Sequence, residues 1–273
     1  MIRFDAYTAT TRAANPYQLL ALLTECAGQN HSVHQGHGFH TFGHRIGVKD
    51  TTGIEIGAVQ WGGSQGDLSM IEVKGESTTE AVKALRERFW HRVTRVDSCA
   101  DFDALGAFER LLGPCLEVKR DHRLKGSRIG DWEDFPEDGR TLMLGAPTSA
   151  TRVRLYEKGK QPEYRHLAKT NWARIEVQVR PAKEARTAYN AITATDVWGA
   201  SRWTKDLAAK LLEQHVHPHP AGTVYRLPER ERSLRWACKQ YASHFLDLKE
   251  DCGSWENFGL TIGEMIREEL EKK

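Results

Sequence analysis

The sequence predicts an α+β fold, in which a curved antiparallel sheet carries helices on its outer face and a small α-helical region follows. Several segments alternate apolar and polar residues, which is typical of strands with one buried face. The order of strands and helices in residues 1–92 returns in residues 93–193, so the sheet is predicted to consist of two pseudo-repeated βαβββα halves. Residues 194–273 lose the alternation and are predicted to form the α-helical C-terminal region.

The first half is predicted to open with strand Ile2–Thr10 and helix Pro16–Cys26. Asn15 is a suitable N-cap for this helix, and Pro16 suits its first turn because proline has no amide hydrogen to leave unpaired. A loop rich in glycine and histidine follows. The remaining predicted elements are strands His44–Lys49, Ile54–Trp61 and Leu68–Gly75 and helix Thr78–Trp90.

The second half is predicted to repeat this order from strand Val93–Phe102 onward. Helix Asp103–Leu112 is expected to stop at Gly113-Pro114, and an irregular segment covers Asp121–Gly139. The later predicted elements are strands Thr141–Gly145, Thr151–Lys158 and Trp172–Arg180, helices Ala182–Thr193 and Ala194–His215, and helices near Glu229–Leu248 and Leu260–Leu270.

Short segments with similar sequence in the two halves support the duplication. Arg3-Phe4-Asp5 matches Arg95-Val96-Asp97 at an offset of 92 residues, and Met70–Val73 matches Arg174–Val177 at an offset of 104 residues. The unequal offsets imply an insertion in the second half. Two such halves can join edge to edge into one saddle suited to lying along nucleic acid.

Composition narrows the classes of function. The chain of 273 residues has no apolar run long enough to span a membrane, and its five cysteines form no CxxC pair. We therefore expect reduced thiols and a cytoplasmic location. Residues 152–186 carry ten Lys or Arg against four Glu, whereas residues 247–273 carry four against eight Asp or Glu. A basic centre favours a polyanionic ligand, although such charge blocks are also typical of solvated faces.

The predicted strand Thr151–Lys158 holds the most informative side chains. Arg154, Tyr156 and Lys158 share one face, because strand side chains repeat every two residues. By the same rule Arg174 and Glu176 share a face of the following strand. A tyrosine among cations and beside a carboxylate suits covalent attack on a phosphodiester.

Carboxylates on the strands suggest a metal site. Asp97 and Asp101 lie on one strand face but about 13 Å apart by rise per residue. Asp97 is therefore expected to join Glu176 in binding Mg²⁺ or Mn²⁺, with Asp101 at the periphery. The alternative is that Asp97 and Asp101 lie on a solvent-exposed strand face or cap a helix, without binding a metal ion.

The ordered motifs Arg-Val-Asp-x3-Asp-Phe from Arg95, Thr141–Gly145, Arg152–Gly159 and Trp172–Glu176 resemble the replication initiation factor family. Its members are rolling-circle initiators of plasmids and filamentous phages, in bacterial hosts. The resemblance covers about residues 92–203. It implies Tyr156 as the nucleophile and Asp97, Asp101 and Glu176 as the metal site.

The resemblance implies a DNA nickase and strand transferase that forms a 5′-phosphotyrosine bond at a replication origin. Its expected partners are double- and single-stranded origin DNA, a host helicase and a polymerase, with a homodimer among the open alternatives. Arg154 and Lys158 are expected to assist Tyr156. The residues expected to bind DNA are Arg152, Lys160, Arg174, Arg180, Arg202 and Lys205. The alternative function is a repressor or origin-recognition module that binds DNA on the same basic sheet without chemistry.

Other residues compete for these roles. Tyr7, Tyr164 and Tyr189 are alternative nucleophiles but lack the R-x-Y-x-K pattern. His215-Val216-His217 spells a metal motif of another class of rolling-circle endonucleases, yet it follows Tyr156 and adjoins Pro218, which cannot continue a central strand. The histidines of residues 31–44 have zinc-like spacing, but the intervening glycines favour a loop.

Overall fold

The computed structural model describes residues 2–212, 216–222 and 229–272. The chain divides into two compact units, Met1–Val224 and Tyr225–Lys273, so residues 194–224 share a unit with both halves of the sheet. The described residues form ten strands: β1 Ile2–Thr11, β2 Ser32–His37, β3 His44–Lys49, β4 Glu55–Trp61, β5 Ser69–Lys74, β6 Arg92–Asp103, β7 Gly126–Ile129, β8 Thr141–Leu144, β9 Thr151–Tyr156 and β10 Trp172–Val179. They also form seven α-helices: α1 Pro16–Ala27, α2 Thr78–Arg88, α3 Ala107–Asp121, α4 Arg202–Leu212, α5 Glu229–Gln240, α6 Ala242–Cys252 and α7 Trp255–Glu271.

All ten strands belong to one open antiparallel sheet in the order β2-β3-β4-β5-β1-β6-β10-β9-β8-β7. The order is palindromic about the β1–β6 pair, since each strand of the first half has a counterpart five strands later in the chain. The two opening strands are direct neighbours, with Tyr7 opposite Val96 and Ala6 opposite Asp97. The predicted α+β class and the duplication are therefore confirmed.

Each half contains one more strand than the predicted motif, because β2 and β7 lack the alternation of apolar and polar residues from which the other strands were predicted. Nearly every residue of β2 and every residue of β7 is exposed. These edge strands pair with β3 and β8 alone, through backbone hydrogen bonds that need no apolar side chains. Sequence periodicity reports burial, so it cannot detect strands that bury neither face.

Helix α1 begins as predicted. The Asn15 side chain accepts a hydrogen bond from the Gln18 amide at 3.0 Å, and the Gln18 side chain accepts one from the Asn15 amide at 2.9 Å. This reciprocal pair satisfies two amide groups that would otherwise lack partners at the helix start. Pro16 occupies the first turn.

The predicted stop of α3 at Gly113-Pro114 is wrong, because the helix begins at Ala107 and continues through Pro114 to Asp121. An interior proline costs about 3 kcal/mol. The two turns beyond it bury Cys115 and Val118 completely in the core. Each such side chain contributes on the order of 1.5–3 kcal/mol, which offsets the cost of the proline.

The predicted helix Ala182–Thr193 is also wrong, since only a short 3-10 turn, Ala188–Ala191, forms there. Long-range hydrogen bonds replace the helical ladder: the Ala182 amide donates to the Ala221 carbonyl at 2.8 Å, and the Tyr189 hydroxyl donates to the His219 carbonyl at 2.6 Å. Of predicted helix Ala194–His215, only α4 is α-helical among the described residues.

The described residues 229–272 of the second unit form three helices where the sequence predicted two. Helix α5 ends at Gln240, and Gly253 adopts a left-handed conformation that ends α6. Ser254 then caps α7 by accepting a hydrogen bond from the Asn257 amide at 3.1 Å. None of the helices in the described residues is long and apolar enough to cross a membrane.

The two faces of the sheet differ in chemistry. On β10, Ile175, Val177 and Val179 belong to the hydrophobic core, together with apolar residues of α1, α2 and α3. Arg174 and Glu176 alternate with them and lie on the opposite face. Helices α1, α2 and α3 therefore cover one face of the sheet, and Arg174 and Glu176 lie on the other.

Candidate active site

Tyr156 is the last residue of β9, and its hydroxyl donates a hydrogen bond to Glu176 Oε1 at 2.7 Å. Arg154 lies directly opposite Glu176 in the β9–β10 register. The Arg154 guanidinium donates to both Glu176 oxygens, with Nη2 at 2.9 Å from Oε1 and 2.8 Å from Oε2. The sequence predicted that Arg154 and Tyr156 share a face of one strand and that Arg174 and Glu176 share a face of the next. The β9–β10 register brings Arg154, Tyr156 and Glu176 together.

Burial governs the electrostatics of this trio. Tyr156 is only 3% exposed. Burial and the neighbouring Glu176 carboxylate raise the pKa of Tyr156 far above its ordinary value. Burial also raises the pKa of Glu176, although Arg154 acts in the opposite direction. A carboxylate with a raised pKa is a stronger base, and it already accepts the phenolic hydrogen.

The Arg154 guanidinium lies over the Tyr156 ring. Its guanidinium carbon lies 4.3 Å from the centroid of the Tyr156 ring, while 42% of the Arg154 side chain remains exposed. The Glu176 carboxylate raises the pKa of Arg154 despite the opposing effect of burial, so the guanidinium stays charged. One exposed cation thus contacts both the ring and the carboxylate.

A second charged group surrounds Arg174, whose side chain is 1% exposed. Its Nε and Nη2 donate to the two Asp101 oxygens at 2.7 Å each, and its Nη1 donates to Asp5 Oδ1 at 2.5 Å. Burial alone would raise the pKa of Asp101, but the hydrogen bonds and charge of Arg174 lower it. Asp5 is a first-half residue, so this contact joins the first half to the site of the second half.

The predicted metal ligands do not converge. Asp97 pairs with Arg95, Asp101 with Arg174, and Glu176 with Arg154. Among the described residues, no three His, Cys, Asp or Glu side chains lie close enough to hold one ion. Since each carboxylate already has an arginine as its counter-charge, this arrangement does not fit a resident Mg²⁺ or Mn²⁺, and the metal stays a prediction from the sequence.

Lys158 lies outside the strand, because β9 ends at Tyr156 and Lys158 begins a 3-10 turn. The predicted extension of this strand to Lys158 is therefore wrong. Glu157 explains the break: its carboxylate accepts a hydrogen bond from the Arg140 amide at 2.8 Å and forms a salt bridge with Lys160 at 2.8 Å. The local chain folds around this buried carboxylate.

The other predicted DNA contacts are spread over the molecule. Arg152 is on the same strand as Arg154, opposite Gln178. Lys160 pairs with Glu157, and Arg180 follows β10, where its amide donates to the Ala150 carbonyl at 2.7 Å. Arg202 and Lys205 are on α4, which packs against α3 on the helix-covered side of the sheet. The structure therefore does not bring these two α4 residues together with Tyr156.

The rival tyrosines have other contacts. The Tyr7 hydroxyl lies 2.8 Å from His91 Nε2 in the core, and the Tyr189 hydroxyl donates to the His219 carbonyl. Tyr164 is half-buried and packs against the ring of Trp172 on β10, the strand that also carries Glu176. Tyr164 thus remains the main competitor.

The rival metal motifs gain no support from their surroundings. His215 lies outside the described residues, and Val216 and His217 belong to no strand. Of the clustered histidines, His34 lies on β2, where we expected a loop, and His44 begins β3 as predicted. His34 forms a salt bridge with Glu55, and His44 stacks on Trp61.

No protein-family model matches this chain, and no curated protein matches it. Among solved structures, it is similar to a rolling circle replication initiator protein from Geobacillus stearothermophilus, with a TM-score of 0.48 and 18% identity over 73% of this chain and 83% of that chain. A likeness this remote does not by itself assign a fold or an activity. Family membership stays a prediction from the sequence motifs.

Proposed function

We propose that this chain nicks and rejoins single-stranded DNA at an origin of rolling-circle replication, with Tyr156 as the nucleophile. The observation that carries the proposal is the Tyr156–Glu176 hydrogen bond, held by the bidentate Arg154. A nucleophile bonded to a base, with a third group fixing the base, is the arrangement that activates hydroxyl nucleophiles in many enzymes.

The chemistry requires one proton acceptor. The Tyr156 oxygen attacks the scissile phosphorus and passes its proton to Glu176, while the bond from phosphorus to the 3′ oxygen breaks. The products are a 5′-phosphotyrosine ester and a 3′ hydroxyl, which takes the proton back from Glu176. Rejoining follows the same steps in reverse, so no oxidant or further reactant is needed.

Arg154 resolves the difficulty that Tyr156 is buried. We infer that an incoming phosphate draws the half-exposed guanidinium away from Glu176, because arginine binds phosphate through the same bidentate geometry. That exchange would uncover the Tyr156 ring and leave Glu176 without its counter-charge. Glu176 would then be a better base at the moment when the phosphate is in place.

Covalent trapping tests the proposal. The protein is incubated with single-stranded oligonucleotides that tile its own gene and the flanking DNA, and adducts are detected as a mass shift under denaturing conditions. We expect an adduct with wild-type protein and none with Tyr156→Phe, which keeps the ring that stacks on Arg154. An undiminished adduct in Tyr156→Phe would move the chemistry to another residue.

The burial of Tyr156 favours one rival function, a DNA-binding module that keeps the fold without the chemistry. In that case the Tyr156–Glu176–Arg154 contacts are structural, and no tiling oligonucleotide forms an adduct. Binding to origin DNA would persist in both wild-type protein and Tyr156→Phe. The same trapping experiment therefore separates the two functions.

A further inference from the structure

Two aromatic rings and one buried ammonium group lie beside the Tyr156 site, and the proposed chemistry does not use them. The Tyr164 and Trp172 rings meet edge to face with centroids 5.3 Å apart. Lys158 Nζ lies 4.3 Å from the Tyr164 centroid and 5.2 Å from the Trp172 centroid. We refer to Lys158, Tyr164 and Trp172 as the ring cluster.

The ammonium of the ring cluster has N–H donors that can bind a ligand. Lys158 is 6% exposed, and within the part of the chain that the structure describes its ammonium forms neither a hydrogen bond nor a salt bridge. Burial lowers the pKa of Lys158, and the charge of Arg174 lowers it further. The carboxylates of Asp5, Asp101 and Glu176 act on this ammonium in the opposite direction, through charge alone. An ammonium has three N–H donors, and contact with the two ring faces leaves it able to bind an anionic oxygen.

The rings are placed for contact with a ligand rather than for packing. Neither Tyr164 nor Trp172 belongs to the hydrophobic core of the described residues, and both keep part of their surface exposed. Trp172 Nε1 donates to Asp101 Oδ1 at 2.7 Å. Because Asp101 also holds Arg174, which faces Tyr156 across the β9–β10 pair, the ring cluster is fixed to the site.

We propose that the ring cluster binds an unpaired nucleotide next to the scissile phosphate, with its base stacked on Tyr164 and its phosphate on the Lys158 ammonium. This inference rests on the proposed function, since it describes how the same site holds its single-stranded substrate. Stacking on an aromatic ring requires a base whose face is free, which a duplex does not offer. The ring cluster would therefore select single-stranded DNA whatever its sequence.

Binding of labelled oligothymidine is compared with binding of an abasic oligonucleotide of equal length, using full-length protein. Tyr164→Ala should weaken oligothymidine binding by about 5- to 150-fold, the range typical of one lost base stack, and leave abasic binding unchanged. Tyr164→Phe should bind both as the wild type does, because it keeps the ring. Tyr17→Ala is a matched control, since Tyr17 is an exposed tyrosine that, like Tyr164, lies beside a tryptophan, here Trp61, but belongs to the first half.

Lys158→Met tests the charged part of the ring cluster. It should weaken both oligonucleotides by the same factor, and the dependence of log Kd on log salt concentration should fall by about 0.7, the value for one lost contact to a single strand. Equal loss of both oligonucleotides in Tyr164→Ala, no loss of either, or an unchanged salt slope in Lys158→Met would overturn the proposal.

The adduct assay on wild-type protein keeps this inference distinct from the proposed function. Discrimination between oligothymidine and abasic DNA without any adduct would refute the chemistry and retain the ring cluster as a binding site. An adduct without that discrimination would retain the chemistry and refute the ring cluster.

Discussion

The two halves of the sheet share one strand order but hold different side chains at equivalent positions. Glu72 lies opposite Ala58 and pairs with Lys74, whereas its counterpart Glu176 lies opposite Arg154. Met70 lies opposite Gln60, where the second half has Arg174 opposite Tyr156. Three changes of side chain at equivalent strand positions thus separate the first half from the half that holds Tyr156, the proposed nucleophile, and Glu176, the proposed base.

The halves are not independent, however. Asp5 on β1 accepts a hydrogen bond from Arg174 on β10, across the intervening β6. Its counterpart Asp97 stays with Arg95. The duplication therefore supplied a carboxylate from the first half that completes the charge balance around Arg174, and one half alone would leave this arginine with a single carboxylate partner, Asp101.

The largest expected effect distinguishes the two equivalent glutamates. Glu176→Gln should slow single-turnover adduct formation by about 10²- to 10⁴-fold, because the amide can still accept the Tyr156 hydrogen bond but cannot take the proton. Glu72→Gln is the matched control from the first half and should leave the rate unchanged. Similar rates in the two variants would contradict the assignment of Glu176 as the base.

The next effect concerns stability. Replacing Arg174 by its first-half equivalent, Arg174→Met, removes the buried cation that Asp101 and Asp5 share and leaves them with the less buried Arg3. This change should lower the free energy of unfolding by about 3–5 kcal/mol. Arg12→Met breaks an exposed pair with Asp67 and should cost at most about 1 kcal/mol. Urea unfolding measures both values. Equal losses would show that the buried pairs of Arg174 stabilise the protein no more than the exposed Arg12–Asp67 pair does.

A smaller effect follows from the lowered pKa of Asp101. A carboxyl group whose pKa is lower in the folded than in the unfolded state stabilises the protein above its ordinary pKa, and this stabilisation is lost as pH falls through the folded value. Between about pH 7 and about pH 3, Asp101→Asn should therefore lose less stability than the wild type. Urea unfolding at several pH values measures the free energy of unfolding of both proteins. If it fell equally in both across this range, the lowered pKa of Asp101 would not contribute to stability.

The smallest expected effect is that of metal on the free protein. Since Arg154, Arg95 and Arg174 neutralise the predicted ligands, added Mg²⁺ or Mn²⁺ should leave the thermal midpoint unchanged, because only a ligand that binds the folded state raises it. A rise that a chelator reverses and that Glu176→Gln abolishes would contradict this expectation. That result would support the metal site predicted from the sequence.

Alternation along the strands made the site predictable in part. The period of two placed Arg154 with Tyr156 and Arg174 with Glu176 on common faces, and the structure has them so. Periodicity gives no register between strands, however. The sequence therefore could not show that Arg154 would lie opposite Glu176 and donate hydrogen bonds to both of its carboxylate oxygens. The repeated Arg-x-Asp motif pointed to Asp5, but its contact with Arg174 depends on the order of strands.

The missed elements share a cause in tertiary structure. Strands β2 and β7 form through edge pairing, which leaves no apolar pattern. Helix α3 continues past Pro114 because burial of the side chains after it stabilises the protein by more than the interior proline costs. The ring cluster was invisible because Trp172 and Tyr164 come together only where the loop after Lys158 folds back onto β10.

Identification of the modified peptide tests the central claim most directly. Trypsin separates the two candidate tyrosines, because Tyr156 lies in the peptide Leu155–Lys158 and Tyr164 in the peptide Gln161–Arg165. After nuclease digestion of the trapped adduct, mass spectrometry should find the residual nucleotide on the peptide with Tyr156. A nucleotide on the peptide with Tyr164, or an intact Leu155–Lys158 peptide in a sample that contains the adduct, would contradict the account.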